Sequence, residues 1–242
     1  MISERLLQIP ANSSIFVLTG AGISKESGIQ TFRDSDGLWN NHRIEDVASP
    51  EGFYRNPSLV YDFYNNRRRE LNSGTEPNKG HFDLYELEKS FKINIITQNI
   101  DNLHEKAGSS SIIHMHGELN KARCIMNENH LFDWFEDLNE THKCPDCGSQ
   151  MRPAIVWFGE MPLQMEEIHD LAEQSALFLS IGTSGEVYPA AGFVTMFRDM
   201  SKPTVELNLE PSRNQDQFDF AIHKPASVAV EEFTKLILKN TH

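Results

Sequence analysis

His116 follows an apolar run and precedes Gly117. A histidine there can take a proton near neutral pH while the glycine leaves room for a substrate. The alternative is a partly buried, hydrogen-bonded histidine, the ordinary fate of any one of ten. Asn99 and Asp101 lie two apart on chain that reads as extended, so both face one side and can hydrogen-bond an amide; the same residue types also cap strand-to-helix turns. Tyr64 and Arg67, three apart on a helical pattern, share a face on which hydroxyl and guanidinium can grip a carboxylate. The competing reading makes Arg67-Arg68-Arg69 a solvated helix face. Cys144-x-x-Cys147 has the knuckle spacing of tetrahedral zinc, and Cys124 offers a third thiolate. Asn127 stands where a fourth cysteine is expected, which leaves His130, His142 or water to complete the set, or no metal. Any zinc would be structural, because no catalytic motif surrounds it.

These groups need strands that end on a common edge. Ile15-Phe16-Val17-Leu18 reads as a buried parallel strand running into Gly20-Ala21-Gly22, where glycines let backbone approach a pyrophosphate at a helix start. Lys25 occupies the third glycine position of a dinucleotide fingerprint, and the polar segment Thr31 to Gly37 replaces the usual crossover and acid-bearing strand. Ile93 to Thr97 is a second buried strand opening onto Gln98-Asn99-Ile100-Asp101, and Ile112 to Gly117 repeats the arrangement. Ile155 to Glu160 reads as a strand or extended segment resuming the sheet; Ala176 to Ile181 stops at Gly182-Thr183-Ser184-Gly185, and Thr204 to Leu209 contains Asn208. Helical spacing covers 50–72, 77–90, about 189–200 and 230–238. The predicted fold is α/β: a doubly wound, mostly parallel Rossmann-like sheet with a smaller inserted zinc-ribbon-like module and a helical insertion. Within one catalytic domain over 1–242, the core takes about 10–34, 91–118 and 155–242, the helical insertion 35–90 and the zinc-type module 119–154.

Composition narrows the function. With 39% hydrophobic and 24% charged residues the chain is globular rather than disordered. A formal charge of -13 disfavours direct nucleic-acid binding and tolerates lysine-bearing partners. No run approaches ~18 apolar residues and the start lacks a signal-peptide pattern, so a cytoplasmic protein without a membrane span is expected. Three cysteines in such a compartment point to metal or free thiols rather than disulfides.

Gly20-Ala21-Gly22-Ile23-Ser24, Thr31-Phe32-Arg33, Gln98-Asn99-Ile100-Asp101, His116-Gly117, Gly182-Thr183-Ser184 and Asn208 stand in that order, and the set resembles the sirtuins, NAD-dependent protein-lysine deacylases, over about residues 14–240. The tracts HRIEDVASPEGF, VWFGEMP and GTSGEVYPAAGF resemble the bacterial class III branch. The resemblance implies that NAD is consumed as a co-substrate. Its pyrophosphate site and cofactor loop would span Gly20 to Trp39, including Ala21, Gly22 and Ile23, with Phe32 shielding the reacting ribose and Arg33 helping to hold the cofactor. Gln98, Asn99, Ile100 and Asp101 would form the nicotinamide pocket, His116 would be the base, and Gly182, Thr183, Ser184, Asn208, Leu209, Glu210 and Ala226 would contact the adenosine half. Val156, Trp157, Phe158 and Gly159 would pair with an acylated-lysine protein substrate as an added strand. Tyr64 and Arg67 match the Tyr-x-x-Arg signature of members that remove negatively charged acyl groups such as succinyl, and Ser35 stands where class III members often carry alanine; acetyl-lysine is an expected second substrate. Cys124, Cys144 and Cys147 depart from the family's four-cysteine structural zinc pattern.

The implied reaction begins with attack of the acyl-lysine amide oxygen on the anomeric carbon as nicotinamide leaves. His116 then deprotonates a ribose hydroxyl, which attacks the new imidate, and water releases free lysine and O-acyl-ADP-ribose. Two other readings use the same pocket: a protein ADP-ribosyltransferase, and a nucleotide-binding module without turnover. The second has no need of a base such as His116. A dehydrogenase is disfavoured by Lys25 at the third glycine position.

Overall fold

The computed structural model describes residues 9–30, 38–39 and 42–239. The apolar run at the start forms β1 (Ser14–Thr19), followed by one helical turn, α1 (Ala21–Ser24), and a ribbon of β2 (Leu38–Trp39) and β3 (His42–Arg43). Four helices come next: α2 (Ile44–Val47), α3 (Pro50–Arg55), α4 (Pro57–Asn72) and α5 (Lys79–Leu87). Ser49 and Asn56 cap α3 and α4, each followed by a proline at the first helical position, where a missing N–H costs nothing. The helical spacing over 50–72 therefore resolves into two helices broken at Asn56. The chain continues through β4 (Lys92–Thr97), α6 (Leu103–Ala107), β5 (Ile112–His114), β6 (Gly117–Cys124), β7 (Leu131–Asp133) and β8 (Met151–Ile155). It closes with α7 (Met165–Gln174), β9 (Leu177–Ile181), α8 (Phe193–Asp199), β10 (Thr204–Asn208), β11 (Phe220–His223) and α9 (Ala226–Leu238).

Six strands form a parallel sheet in the order β11-β10-β9-β1-β4-β5. Chain order reverses at β1, so the crevice beyond the carboxyl ends of β1 and β9 is the topological switch point at which doubly wound sheets bind ligands. Alternate residues of each strand serve opposite faces. Ile15 and Val17 pack with Leu84 and Leu87 of α5 and Val230 and Phe233 of α9. Phe16 and Leu18 pack on the other face with Ile168 of α7 and Phe193 and Phe197 of α8. Two covered faces are what a parallel sheet requires, and they explain why β1 is buried at every position after Ser14.

The second unit is a three-stranded antiparallel sheet, β7-β6-β8, whose apolar side meets α3 and α4. Tyr61 of α4 donates to the carbonyl of Met151 in β8, and the buried Arg68 donates to the carbonyls of Leu119 and Glu136. Ile155 corrects one expectation: it ends β8 opposite Gly117 in this sheet instead of opening a strand of the main one. Residues 156–160 are irregular, with Gly159 at φ +92. Among the elements without a forecast are α7 and β11. The first buries only Ile168 and Ala172, too sparse a pattern to read, and the second is a half-exposed edge strand.

Candidate active site

Gly20 and Gly22 leave β1 and meet Gly182 as it leaves β9. A Cβ on Gly22 would lie 2.6 Å from the Cα of Gly182, and one on Gly182, itself at φ +65, would lie 2.5 Å from the amide nitrogen of Ile23. Gly22 N–H donates to the carbonyl of Gly182 and Gly20 N–H to that of Ile181, both at 2.9 Å. The glycines read as a phosphate cradle thus have a prior duty, bringing two strand ends into backbone contact across the switch point. Ala21 is half-buried beside them, whereas the Ile23 side chain is lost in the core, so what it can offer a ligand is backbone.

β4 delivers the next group. Asn99 is 7% exposed and Asp101 6%, and Ser24 of α1 joins them: Asn99 Nδ2 donates to the carbonyl of Gly20 (3.1 Å) and to Ser24 Oγ (3.2 Å), while Ser24 Oγ donates to Asp101 Oδ2 (3.0 Å). Asp101 Oδ1 also accepts from the amide of Leu103, so the turn-capping reading holds as well. Burial pushes the Asp101 carboxyl up, against the hydrogen bonds from Leu103 and Ser24. Ser24 escapes sequence reasoning as a site residue because its partners lie 75 and 77 positions away. Ile100, half-buried, packs toward the second unit.

His116 follows β5, half-buried, with Nδ1 3.2 Å from the carbonyl of Gln98. A carbonyl only accepts, so Nδ1 carries the hydrogen and Nε2 keeps a lone pair. Burial lowers the His116 pKa, which keeps the ring neutral and able to act as a base. Beside it, His114 Nδ1 bonds the carbonyl of Asn99 (3.1 Å) and Nε2 meets Glu105 (2.6 Å). That pair, unforeseen, ties α6 and β5 to the backbone of Asn99.

Beside Gln98 lies a small cleft lined by Leu18, Ser180, Thr183, Gly185, Val187 and Asn214. Thr183 Oγ1 bonds Ser180 Oγ (2.9 Å) and its carbonyl accepts from Asn208 Nδ2 (2.7 Å), so these two brace the strand ends; Ser184 Oγ accepts from the amide of Glu186. Leu209 and Glu210 are exposed, and Ala226 is buried at the start of α9 near Gly80. Phe32, Arg33 and Ser35 lie outside the described residues.

Tyr64 and Arg67 come together on α4 with Trp39, forecast as a cofactor contact. The Trp39 ring packs edge-on against Phe63 (4.7 Å) and Tyr64 (6.1 Å), and the Arg67 guanidinium lies 3.4 Å over Phe63 and 4.8 Å from Trp39. Arg67 Nη1 donates to the carbonyl of Phe63, while Nη2 is buried with no partner among the described residues. Burial lowers its pKa to about 10, so it stays charged at neutral pH. Tyr64 is fully buried, which raises its pKa and keeps the hydroxyl protonated. In the neighbouring segment Val156 N–H donates to the carbonyl of His116, Trp157 N–H to Glu160 and Phe158 N–H to the carbonyl of Ala48. Gly159 N–H has no partner among the described residues, and the Phe158 side chain is 50% exposed.

Cys124, His130, Cys144 and Cys147 place their ligand atoms within 4.8 Å of one another. Cys124 Sγ is 3.5 Å from Cys147 Sγ and Cys144 Sγ 3.3 Å from His130 Nδ1, separations that suit tetrahedral zinc with bonds of about 2.0–2.3 Å. Three thiolates and an imidazole are a zinc donor set. Asn127, in place of a cysteine, shapes the turn that swings His130 inward: its side chain accepts from Asn129 and its carbonyl from His130. His142 sits elsewhere, against Trp134.

The Sir2 family model matches residues 20–189. An NAD-dependent protein deacylase of Leishmania major is 52% identical over 235 residues, covering 94% of this chain and 96% of its own. One of Vibrio cholerae is 55% identical over 229 residues, with 93% of each covered. Among solved structures, a mutant Sir2 homologue complexed with ADP-ribose superimposes with a TM-score of 0.88 at 34% identity, covering 99% of this chain and 97% of that one. A Sir2 homologue–NAD complex gives 0.85 at 34% identity, covering 99% and 93%. The chain belongs to the Sir2 family.

Proposed function

We infer that this protein is an NAD-dependent protein-lysine deacylase that moves the acyl group to ADP-ribose, and that its acyl substrates include succinyl as well as acetyl. One observation carries the reading: at the switch point of the parallel sheet, His116 is a neutral base with a bare Nε2 beside the Asn99–Ser24–Asp101 network. The residues present suit a dinucleotide, with a glycine turn at the crevice, polar groups at the carboxyl ends of β9 and β10 and buried polar groups at β4. When bound, NAD supplies an activated ribose carbon and a nicotinamide leaving group. Gly20, Ala21, Gly22 and Ile23 offer backbone at the pyrophosphate; Gln98, Asn99, Ile100 and Asp101 line the nicotinamide pocket; and Thr183, Ser184, Asn208, Leu209 and Glu210 serve the adenosine half with Gly182 and Ala226. His116 holds its Nδ1 hydrogen on Gln98 and accepts a ribose hydroxyl proton at Nε2. Val156 to Gly159 present backbone to the acylated protein, mainly through Gly159 N–H and the carbonyls of Val156 and Phe158.

Succinyl is favoured by two adjacent donors left open: Arg67 Nη2, and the Tyr64 hydroxyl hydrogen, which has no acceptor among the described residues. A guanidinium and a phenol hydroxyl close enough to interact electrostatically fit a carboxylate. Tyr64 carries no exposed surface, so the acyl chain must part the surrounding walls to reach it. The three-part division into core, helical insertion over 35–90 and zinc module over 119–154 is our assignment, as is a cytoplasmic location; among the described residues no helix is long and apolar enough to cross a membrane. The test is nicotinamide release that requires both NAD and an acyl-lysine peptide. His116→Ala is expected to abolish it, and release undiminished in that variant would overturn the assignment.

A further inference from the structure

The carboxyl-selective pair has a third member that the family signature does not name. Trp157 Nε1 donates to Tyr64 Oη at 3.0 Å in a buried contact. The indole is held from behind: the Arg152 guanidinium lies 3.4 Å over its ring, Arg152 grips both oxygens of Glu160 at 2.7 Å, and Glu160 Oε2 accepts from Trp157 N–H at 2.8 Å. Trp157 is 2% exposed and Arg152 7%, so neither group has an alternative partner in water. A phenol hydroxyl both donates and accepts. With an indole N–H directed at its oxygen, its own hydrogen must turn away from Trp157.

We propose that the indole N–H of Trp157 is a positioning group for acyl selectivity: by filling the acceptor side of the Tyr64 hydroxyl it commits that hydroxyl to donate, alongside Arg67, to a lysine acyl group ending in a carboxylate. The proposal rests on the succinyl reading above. An acetyl group ends in a methyl and uses neither donor, so the contribution is confined to acidic acyl chains. The segment that presents backbone to the substrate peptide therefore also sets the chemistry at the far end of the acyl chain, through Glu160, Arg152 and Trp157 in turn.

The test replaces Trp157 with benzothienylalanine, an isostere carrying sulfur where indole has N–H, which preserves the ring shape and the stacking of Arg152. Wild type, this variant, Arg67→Met and Tyr64→Phe are assayed on succinyl- and acetyl-lysine peptides. The analogue is expected to lower the succinyl-to-acetyl ratio of kcat/KM by about 5- to 10-fold, chiefly through KM for the succinyl peptide, as loss of one oriented hydrogen bond to a bound carboxylate implies. In a Tyr64→Phe background it should lower that ratio no further. If Arg67→Met lowers the ratio while the analogue leaves it unchanged, or if the analogue acts fully without the Tyr64 hydroxyl, the Trp157 role is overturned and the succinyl reading stands. If Arg67→Met also spares the ratio, both fall together.

Discussion

His116 and Arg67 show how burial sets the working charge of a side chain in this molecule. Burial lowers both pKa values, yet the outcomes differ because the starting points differ: the imidazole becomes reliably neutral, and the guanidinium at about 10 remains a cation. Arg67→Met should therefore remove a charged donor and reduce desuccinylation by about 10- to 100-fold relative to deacetylation, the effect of about 1.5–3 kcal/mol from a charged hydrogen bond. Paired kcat/KM values on the two peptides measure it, and an equal loss on both would reject the carboxylate role. These residues were legible because chemistry and local spacing suffice to nominate them. Ser24 and Trp157 were not legible in the contacts they make, because their partners come from chain far away: Asp101 is 77 positions from Ser24, and Tyr64 is 93 from Trp157.

At the scale of elements, the joint between β1 and β9 is the least tolerant feature. Gly22→Ala would press a methyl to 2.6 Å from Gly182 Cα, backbone against backbone, and should cost about 1–3 kcal/mol or more, read as a lower Tm. Gly28→Ala is a useful contrast: nothing lies within 4 Å of its Cβ, and only φ +89 opposes it, at about 1–2 kcal/mol. The α6–β5 junction should respond to pH instead. Burial opposes charging of His114, but Glu105 and the Asn99 carbonyl prevail and hold it above its ordinary value; Glu105 is likewise held below its own by His114, against burial. Stability from a raised histidine is complete below about pH 6.5 and fades as pH climbs through the folded pKa; stability from a lowered carboxylate is present above about pH 4.5 and fades in acid. Glu105→Gln should thus destabilise most between those limits and converge on wild type as pH rises through the folded His114 pKa. With Glu105 40% exposed, the difference should stay under about 1 kcal/mol in denaturant titrations. The parallel strands could be read from apolar runs ending in glycine or polar residues, but such runs do not state which sheet they join. Ile155 went to the antiparallel sheet because Gly117, at φ +81, brings β6 against β8.

Across the whole molecule, the cysteine module and the proposed acyl pocket share one helix. α4 is tied to the module through Tyr61 and Arg68 and carries Tyr64 and Arg67 between those ties. Removing zinc with a chelator should therefore lower Tm and reduce desuccinylation together, although the ligands lie outside the NAD crevice. His130→Ala should lower bound zinc and His130→Cys retain it, as metal analysis of the purified variants would show. Sequence spacing exposed three ligands and left the fourth open, since only the turn built by Asn127 selects His130 over His142. The central claim is that these parts together pass an acyl group from lysine to NAD-derived ribose. Mass spectrometry of NAD incubated with succinyl-lysine and acetyl-lysine peptides tests it most directly. The account expects free nicotinamide, deacylated peptide and the matching O-acyl-ADP-ribose from each; ADP-ribose attached to protein without need of an acyl group, or NAD left intact, would contradict it.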